Sequence, residues 1–392
     1  MYFYDIKIYR TYKYKLRPNK VQRQSLEQIL GCCRFLYNIA LEERITYYES
    51  TGKGIGYYHQ QYQLKDLFKT EGFEFMKCIP AQARQDVLKR LDKTYTSFFK
   101  GGGFPRWAKK HKYSSFTLPQ HVKYDSNKVT IPKVEKLRMF CSRNIPKDAA
   151  IKFTTFKKQV DGWFACVTFE IDHIAPIRDN QAVGIDMGVT YFAVTSDGQY
   201  FDNPKHLAKH QRRLKILKRK LARQKKFGYN WRKTRYQISK IYLKITNSRK
   251  DFLHKVSNQL TNEYSFIAVE DLKLKNMTKS SKGDAENHGS MVKQKSGLNR
   301  VLLDLGIGYF FTFLDYKSIE KGSKLVKINP RNTSRKCNKC GHISKNNRKS
   351  QSKFECESCG YTVNADRNAS DNILGDGVAL SRKREAAACA LA

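Results

Sequence analysis

Residues 181–198, QAVGIDMGVTYFAVTSDG, limit the possible folds of this chain more than any other stretch. Residues 183–185 are a short apolar run, Asp186 interrupts it, Gly188 follows, and Tyr191 opens a second run rich in aromatic and β-branched residues. The pattern predicts two adjacent strands joined by a tight turn, with one carboxylate at the end of the first. A carboxylate beside buried strand residues has to be hydrogen-bonded, paired or bound to a metal, because a bare buried charge is too costly. By itself, the same pattern also fits an ordinary aspartate in a turn beside a glycine.

Two further stretches shift that balance. Residues 265–271, SFIAVED, read as another apolar strand, and it ends in Glu270 and Asp271. Residues 364–370, NADRNAS, open a helix and carry Asp366. Asp186, Glu270 and Asp366, two at strand ends and one at a helix start, are the parts of a two-metal site that clamps the attacking and leaving oxygens of a phosphodiester. Carboxylate oxygens suit magnesium, a hard cation. Asp271 should face the other side of the strand, where capping the next turn is the simpler role.

Cys337-x2-Cys340, fifteen intervening residues, then Cys356-x2-Cys359 is a specific signal. Each pair predicts a knuckle, and together they offer four thiolates to one tetrahedral zinc. Gly341 and Gly360 follow the second cysteine of each pair, where a knuckle turn needs room. An iron–sulfur cluster or a redox dithiol would use the same residue types. With all four positions filled by protein the ion would be structural, holding the segment that leads into Asp366. The other six of the ten cysteines lack such spacing, which favours a reducing compartment over a disulfide framework. Cys32 and Cys33 read as small core residues.

GIDMG, AVED and NADRNAS in that order, with the paired CxxC units before the last, resemble the RuvC-like nuclease core of the transposon-encoded TnpB family, RNA-guided DNA endonucleases related to the type V CRISPR effectors. The resemblance covers residues 12–380. It implies a ribonuclease H-like α/β core with a zinc-ribbon insertion, preceded by a β-barrel wedge domain into which a helical recognition lobe is inserted. It also implies a guide RNA from the transposon end, a double-stranded DNA target opened by pairing, and a short target-adjacent motif read by protein. Local matches place motif reading near Tyr57, Gln61, Gln82 and Gln85, and glutamine is a residue type that pairs with adenine.

The charge agrees with a polyanion partner. Lys plus Arg number 75 against 35 acids, a net charge of +40. No apolar run approaches the roughly 20 residues of a spanning helix, and the N-terminus has no signal-peptide pattern; a cytoplasmic, nucleoid-associated monomer is expected. Between residues 203 and 250 there are 18 Lys and Arg and no acid. Leu207, Leu214, Leu217 and Leu221 keep one apolar edge, while Arg212, Arg213, Lys218, Arg219, Lys220 and Arg223 form an unneutralised basic face suited to phosphates.

The expected organisation follows. Residues 1–18 and 112–177 form the barrel, with Ile6, Ile8, Tyr12, Tyr14 and Leu16 on the inner face of its first strand. Residues 19–111 form the helical lobe. Residues 178–334 and 361–378 form the nuclease core, with a basic helical insertion at 203–263 that starts at Asn203-Pro204. Residues 335–360 form the zinc module and 379–392 a flexible tail. Residues 272–299 read as a mobile loop or lid, and 298–319 as one helix. Asn368 is a candidate to position Asp366 or a water. Two other functions use the same parts. One is a nuclease-inactive RNA-guided repressor, disfavoured because all three carboxylates are present. The other is a DNA-joining transposase, although no segment reads as a helix-turn-helix.

Overall fold

The computed structural model describes residues 5–179, 181–284 and 286–391. Residues 1–4 of the expected barrel, the side chain of Ile6 and residue 392 of the expected tail lie outside them. The chain divides into two compact units, Lys7–His173 and one that begins at Ile174.

In the first unit β1 (Asp5–Arg17) alternates as its sequence predicts: Ile8, Tyr14 and Leu16 are buried, and Lys7, Lys13 and Lys15 are exposed. Three helices follow, α1 (Lys20–Thr51), α2 (Tyr57–Leu67) and α3 (Ala81–Phe99). Asn19 starts α1 with a reciprocal cap, its side chain accepting from the Gln22 amide at 2.8 Å and Gln22 accepting from the Asn19 amide at 3.0 Å. The chain then returns to the sheet as β2 (Ser115–Leu118), β3 (Lys123–Asp125), β4 (Lys128–Ile131), β5 (Glu135–Phe140), β6 (Ala150–Gln159) and β7 (Gly162–Ile174). The seven strands are ordered β2-β6-β7-β1-β5-β4-β3. A hydrogen bond between Tyr124 on β3 and Thr154 on β6 links strands far apart in that order, so the sheet is curled. The helices expected as an inserted lobe pack directly on this curled sheet. Leu26, Leu36 and Leu41 of α1 and Val87 and Leu91 of α3 share one core with Phe116, Phe156 and Phe169 of the strands. Cys32 and Cys33 are buried in that same core.

The second unit is built on five strands in the order β10-β9-β8-β11-β12. These are β8 (Ala182–Met187), β9 (Tyr191–Thr195), β10 (Tyr200–Asp202), β11 (Phe266–Glu270) and β12 (Lys324–Ile328), with α4 (Ala208–Ala222) and α5 (Tyr229–Glu263) between β10 and β11. Asn203-Pro204 does not start the helix; Asn203 instead donates to the Val189 carbonyl at 2.7 Å. β11 is parallel to both β8 and β12, while β8 and β9 form the expected antiparallel pair. Between β11 and β12 lie α6 (Leu274–Met277), α7 (Val292–Leu305) and α8 (Ile307–Lys321). The single helix expected over 298–319 is two, because Gly306 adopts a left-handed φ of +71° between them. The expected open loop at 272–299 is also partly structured: α6 and the first turns of α7 occupy it, and Lys295 holds the Met277 carbonyl at 2.7 Å.

The sheet is buried on both faces. Val183, Ile185, Ile267 and Val269 point towards Leu253, Val256 and Leu260 of α5 and Phe310 and Leu314 of α8. Ala268, Val326 and Ile328 point the other way, against Ile373 of α9 (Ala365–Leu391). That last helix corrects the expected tail: residues 379–391 continue it.

Candidate active site and zinc module

The face of the sheet covered by α9 carries the predicted carboxylates. β8 and β11 pair in parallel, with Val269 opposite Ile185, so Asp186 and Glu270 are the next step at the carboxyl ends of neighbouring strands. Strand periodicity puts Asp186 on the side of Gly184, and Glu270 on the side of Ala268. Both of those residues meet α9. A Cβ at Gly184 would lie 2.1 Å from the Ser370 carbonyl, and one at Gly377 would lie 2.5 Å from the Ala268 side chain. Two glycines, one on each element, thus let the helix lie directly on the strands. Asp366 sits in the first turn of that helix, whose amides are capped by Asn364 Oδ1 at 2.9 Å from the Asp366 nitrogen and 3.3 Å from Arg367. The structure therefore brings together Asp186, Glu270 and Asp366, from three elements remote in sequence.

Their electrostatics reflect crowding. Burial, then the charges of Glu270 and Asp366, push Asp186 up to about 7, and Arg348 only partly offsets this. Burial also raises Glu270, opposed by a hydrogen bond from Thr333, and raises Asp366, opposed by Arg348. Arg348 offsets Asp186 and Asp366 only in part and Glu270 has no cation acting on it among the described residues, which leaves excess negative charge, a setting that favours a multivalent cation. Two supporting side chains had no signal in the motifs. Thr333 Oγ1 donates to Glu270 Oε1 at 2.5 Å, and Arg348 donates to Asp366 Oδ1 at 3.2 Å. Asp271, one residue past the end of β11, pairs with Lys273.

The four cysteines fit one tetrahedral ion. Their Sγ atoms lie within 4.8 Å of one another, with Cys337 to Cys359 at 3.8 Å and Cys340 to Cys356 at 3.6 Å. A zinc–thiolate distance of about 2.3 Å gives a tetrahedral edge of about 3.8 Å. The two knuckles repeat one geometry. Gly341 donates to the Cys337 carbonyl and Gly360 to that of Cys356, each at 2.9 Å, and both glycines have positive φ. The module docks on α9 through buried amides. Asn368 Nδ2 donates to the Lys336 carbonyl at 2.8 Å, its Oδ1 accepts from the Asn338 amide at 3.1 Å, and Asn372 donates to the Thr333 and Lys336 carbonyls at 2.9 and 2.7 Å. Asn368 thus holds the first knuckle and the residue before it, through Asn338 and Lys336, and these bonds do not run to Asp366.

Of the basic residues, Arg212, Arg213, Lys218, Arg219, Lys220 and Arg223 are all exposed, on α4 and its C-terminal cap. Leu214 faces inward, against Ile238, Ile241 and Ile245 of α5. In the first unit Tyr57, Gln61, Gln82 and Gln85 are half-buried on α2 and α3. Lys89, one turn from Gln85, lies 5.6 Å from the Tyr57 ring, but Gln82 is engaged elsewhere, accepting from the Gln120 amide at 2.9 Å. The buried glutamine there is Gln60, which donates to the Ala40 carbonyl at 2.8 Å and accepts from Arg44 at 2.8 Å.

InsQ of Escherichia coli (strain K12), by name an RNA-guided DNA endonuclease, is 35% identical over 95% of this chain and 93% of its own. The chain belongs to the TnpB family. A Streptomyces pristinaespiralis TnpB relative, also named as an RNA-guided DNA endonuclease, is 30% identical over 95% of this chain and 90% of its own. Family models match three segments: residues 165–281, "Probable transposase"; 308–373, "Cas12f1-like, TNB domain"; and 8–53, "Helix-turn-helix domain". The last match runs against the expectation that no segment is of helix-turn-helix type, yet the described part of 8–53 is one strand followed by one uninterrupted helix. The TnpB fold here is similar to that of Cas12f1 in a cryo-EM complex with sgRNA and target DNA, with a TM-score of 0.56 at 15% identity over 90% of this chain and 82% of that one.

Proposed function

We propose that this TnpB protein is an RNA-guided endonuclease that cuts double-stranded DNA with Asp186, Glu270 and Asp366. The observation that carries the reading is the convergence of these carboxylates on the α9 side of the sheet, with Arg348 facing Asp186 and Asp366. Two magnesium ions held there supply, when bound, an activated water and stabilisation of the leaving 3′-oxygen. The chain's own residues prepare the site. Asp186 is held between two strands, Thr333 fixes one oxygen of Glu270, and Arg348 orients Asp366. One zinc on Cys337, Cys340, Cys356 and Cys359 fixes the segment that supplies Arg348. The guide is an RNA transcribed from the transposon end, and its pairing selects the target. The basic face of α4 holds nucleic-acid backbone, while Tyr57, Gln61, Gln82 and Gln85 stand near the motif-reading surface, corresponding to the recognition lobe; residues 1–18 and 112–177 correspond to the wedge. The protein works as a monomer on DNA in the cytoplasm. No described helix is long and apolar enough to cross a membrane.

The test is to purify the protein from its own cells, sequence the RNA that comes with it, and use that RNA to direct cleavage of a matching duplex in magnesium. A single abundant RNA and guide-dependent cutting are expected. Random RNA, or cutting that ignores the guide, would sink the reading. The matches described as transposase and helix-turn-helix favour one other reading, strand joining. Joined products in a strand-transfer assay with transposon ends would establish it.

A further inference from the structure

The turn between α4 and α5 holds aromatic rings in solvent. Phe227 is 61% exposed and Tyr229 79% exposed. Phe227 also adopts a left-handed φ of +67°, an unfavourable conformation for a bulky residue, so the turn bears a conformational cost while leaving an apolar ring uncovered. The ring meets Trp231 edge to face at 5.4 Å. Cations flank the pair: Lys226 lies 5.3 Å from the Phe227 ring and Arg235 lies 5.2 Å from that of Trp231.

A cleft of about 190 Å³ opens on the adjoining turns, lined by Lys220 and Gln224 of the α4 end and by Asn230, Lys233, Thr234 and Gln237 of α5. Gln224 Oε1 is shielded from solvent and accepts no hydrogen bond from the described residues. An acceptor left in that state calls for a donor. Among the described residues, no lysine or arginine between 205 and 244 forms an ion pair, and that stretch contains no acid.

An exposed Phe227 ring beside a half-buried Trp231, cations without ion pairs and an orphan acceptor together specify a ligand. Bases in a duplex already stack on each other, so only a single strand offers planes to Phe227 and Trp231. Phosphates match the lysines. Within the sugar, a ribose 2′-hydroxyl donates where deoxyribose cannot, so RNA fits the Gln224 acceptor. We propose that the α4–α5 tip binds an unpaired segment of RNA, with bases stacked on Phe227 and Trp231, phosphates on Lys220 and Lys233, and a ribose hydroxyl on Gln224. The proposal deepens the RNA-guided reading and rests on it.

The experiment uses the full chain freed of RNA, with fluorescein-labelled oligouridylate of about 12 nucleotides followed by anisotropy at two salt concentrations. Oligothymidylate and an RNA duplex of the same length are the comparison probes. Trp231→Ala should weaken oligouridylate binding about tenfold, while duplex binding changes less than about twofold. Trp231→Phe should restore most of the loss. Lys220→Gln with Lys233→Gln should flatten the salt dependence by about one to two phosphates, and Gln224→Leu should narrow the preference for RNA over DNA. Equal weakening on the duplex, no effect of Trp231→Ala in a variant that melts normally, or oligothymidylate bound as tightly as oligouridylate would overturn the proposal. If oligouridylate binding is indifferent to the tip while the unaltered chain still cuts under guide control, this inference fails and the nuclease reading stands.

Discussion

The four cysteines and the three carboxylates of this TnpB protein are neighbouring polar clusters assembled by opposite routes. Cys337, Cys340, Cys356 and Cys359 come from one stretch of 23 residues, and each pair is shaped by its own backbone turn. Asp186, Glu270 and Asp366 come from two strands and a helix, and they meet only because β8 pairs with β11 and α9 lies on both. The first site is a local structure that an ion completes. The second is a product of the whole nuclease unit. The two are coupled, since Thr333 and Arg348, which hold Glu270 and Asp366, both belong to the segment that the knuckles and α9 pin down.

The coupling predicts that removing a carboxylate and removing a thiolate differ in kind. Asp186→Asn should reduce guided cleavage by about a thousandfold or more, because the metal chemistry loses a ligand. RNA binding, zinc content and melting temperature should stay as they were. A variant that also loses RNA would make Asp186 a structural residue. Cys337→Ser should lower cleavage by about a hundredfold through a different route, with loss of zinc and several kcal/mol of stability. Zinc analysis and melting curves with and without chelator check it, and an unchanged melting curve in chelator would uncouple the two sites.

The contrast also explains what the sequence could reveal. Knuckle spacing is local, so CNKC and CESC specified their geometry directly. The carboxylates were legible as strand-end and helix-start residues, because strand alternation is local too. Their partners were not. Arg348 lies 18 residues from Asp366 and Thr333 lies 63 from Glu270, and neither contact has a sequence pattern. Nothing in the run 183–185 marks Gly184, because its role depends on Ser370 and Leu374 of a distant helix. The split of α7 from α8 was hidden because apolar residues continue across Gly306, and only the left-handed φ breaks the helix. The tail looked flexible from its alanines and arginines, yet alanine and arginine are both good helix formers.

Gly184→Ala separates assembly from ligation. The added methyl would meet the Ser370 carbonyl at 2.1 Å, backbone against backbone, so α9 has to move off β8. A loss of about 3 kcal/mol in chemical denaturation is expected, with reduced cleavage and full zinc content. Zinc loss in this variant would mean that the knuckles depend on the sheet. Arg348→Met is milder. It removes the guanidinium from Asp366 and should cost about tenfold in cleavage, recovered in part by higher magnesium. An Asp366 site indifferent to Arg348 would leave the zinc module as a scaffold only.

Thr333→Val probes the smallest term. Thr333 Oγ1 has one proton and two acceptors in reach, Glu270 Oε1 at 2.5 Å and the Pro330 carbonyl at 3.2 Å. The shorter contact is to the carboxylate, which is also the stronger acceptor when ionised, so the proton belongs to Glu270. Valine keeps the shape and removes the donor. Glu270 then regains rotational freedom, and its burial is no longer offset. Cleavage should fall about fivefold, in keeping with one hydrogen bond to a charged group, while melting and zinc content remain unchanged. If Thr333→Ser behaves as the parent and Thr333→Val does not, the hydroxyl orients the carboxylate. If both fall equally, the methyl packing of Thr333 matters and the hydrogen bond does not. In the first case the strap before Cys337 acts on the carboxylates through two separate side chains, and coupling between the sites survives the loss of either one.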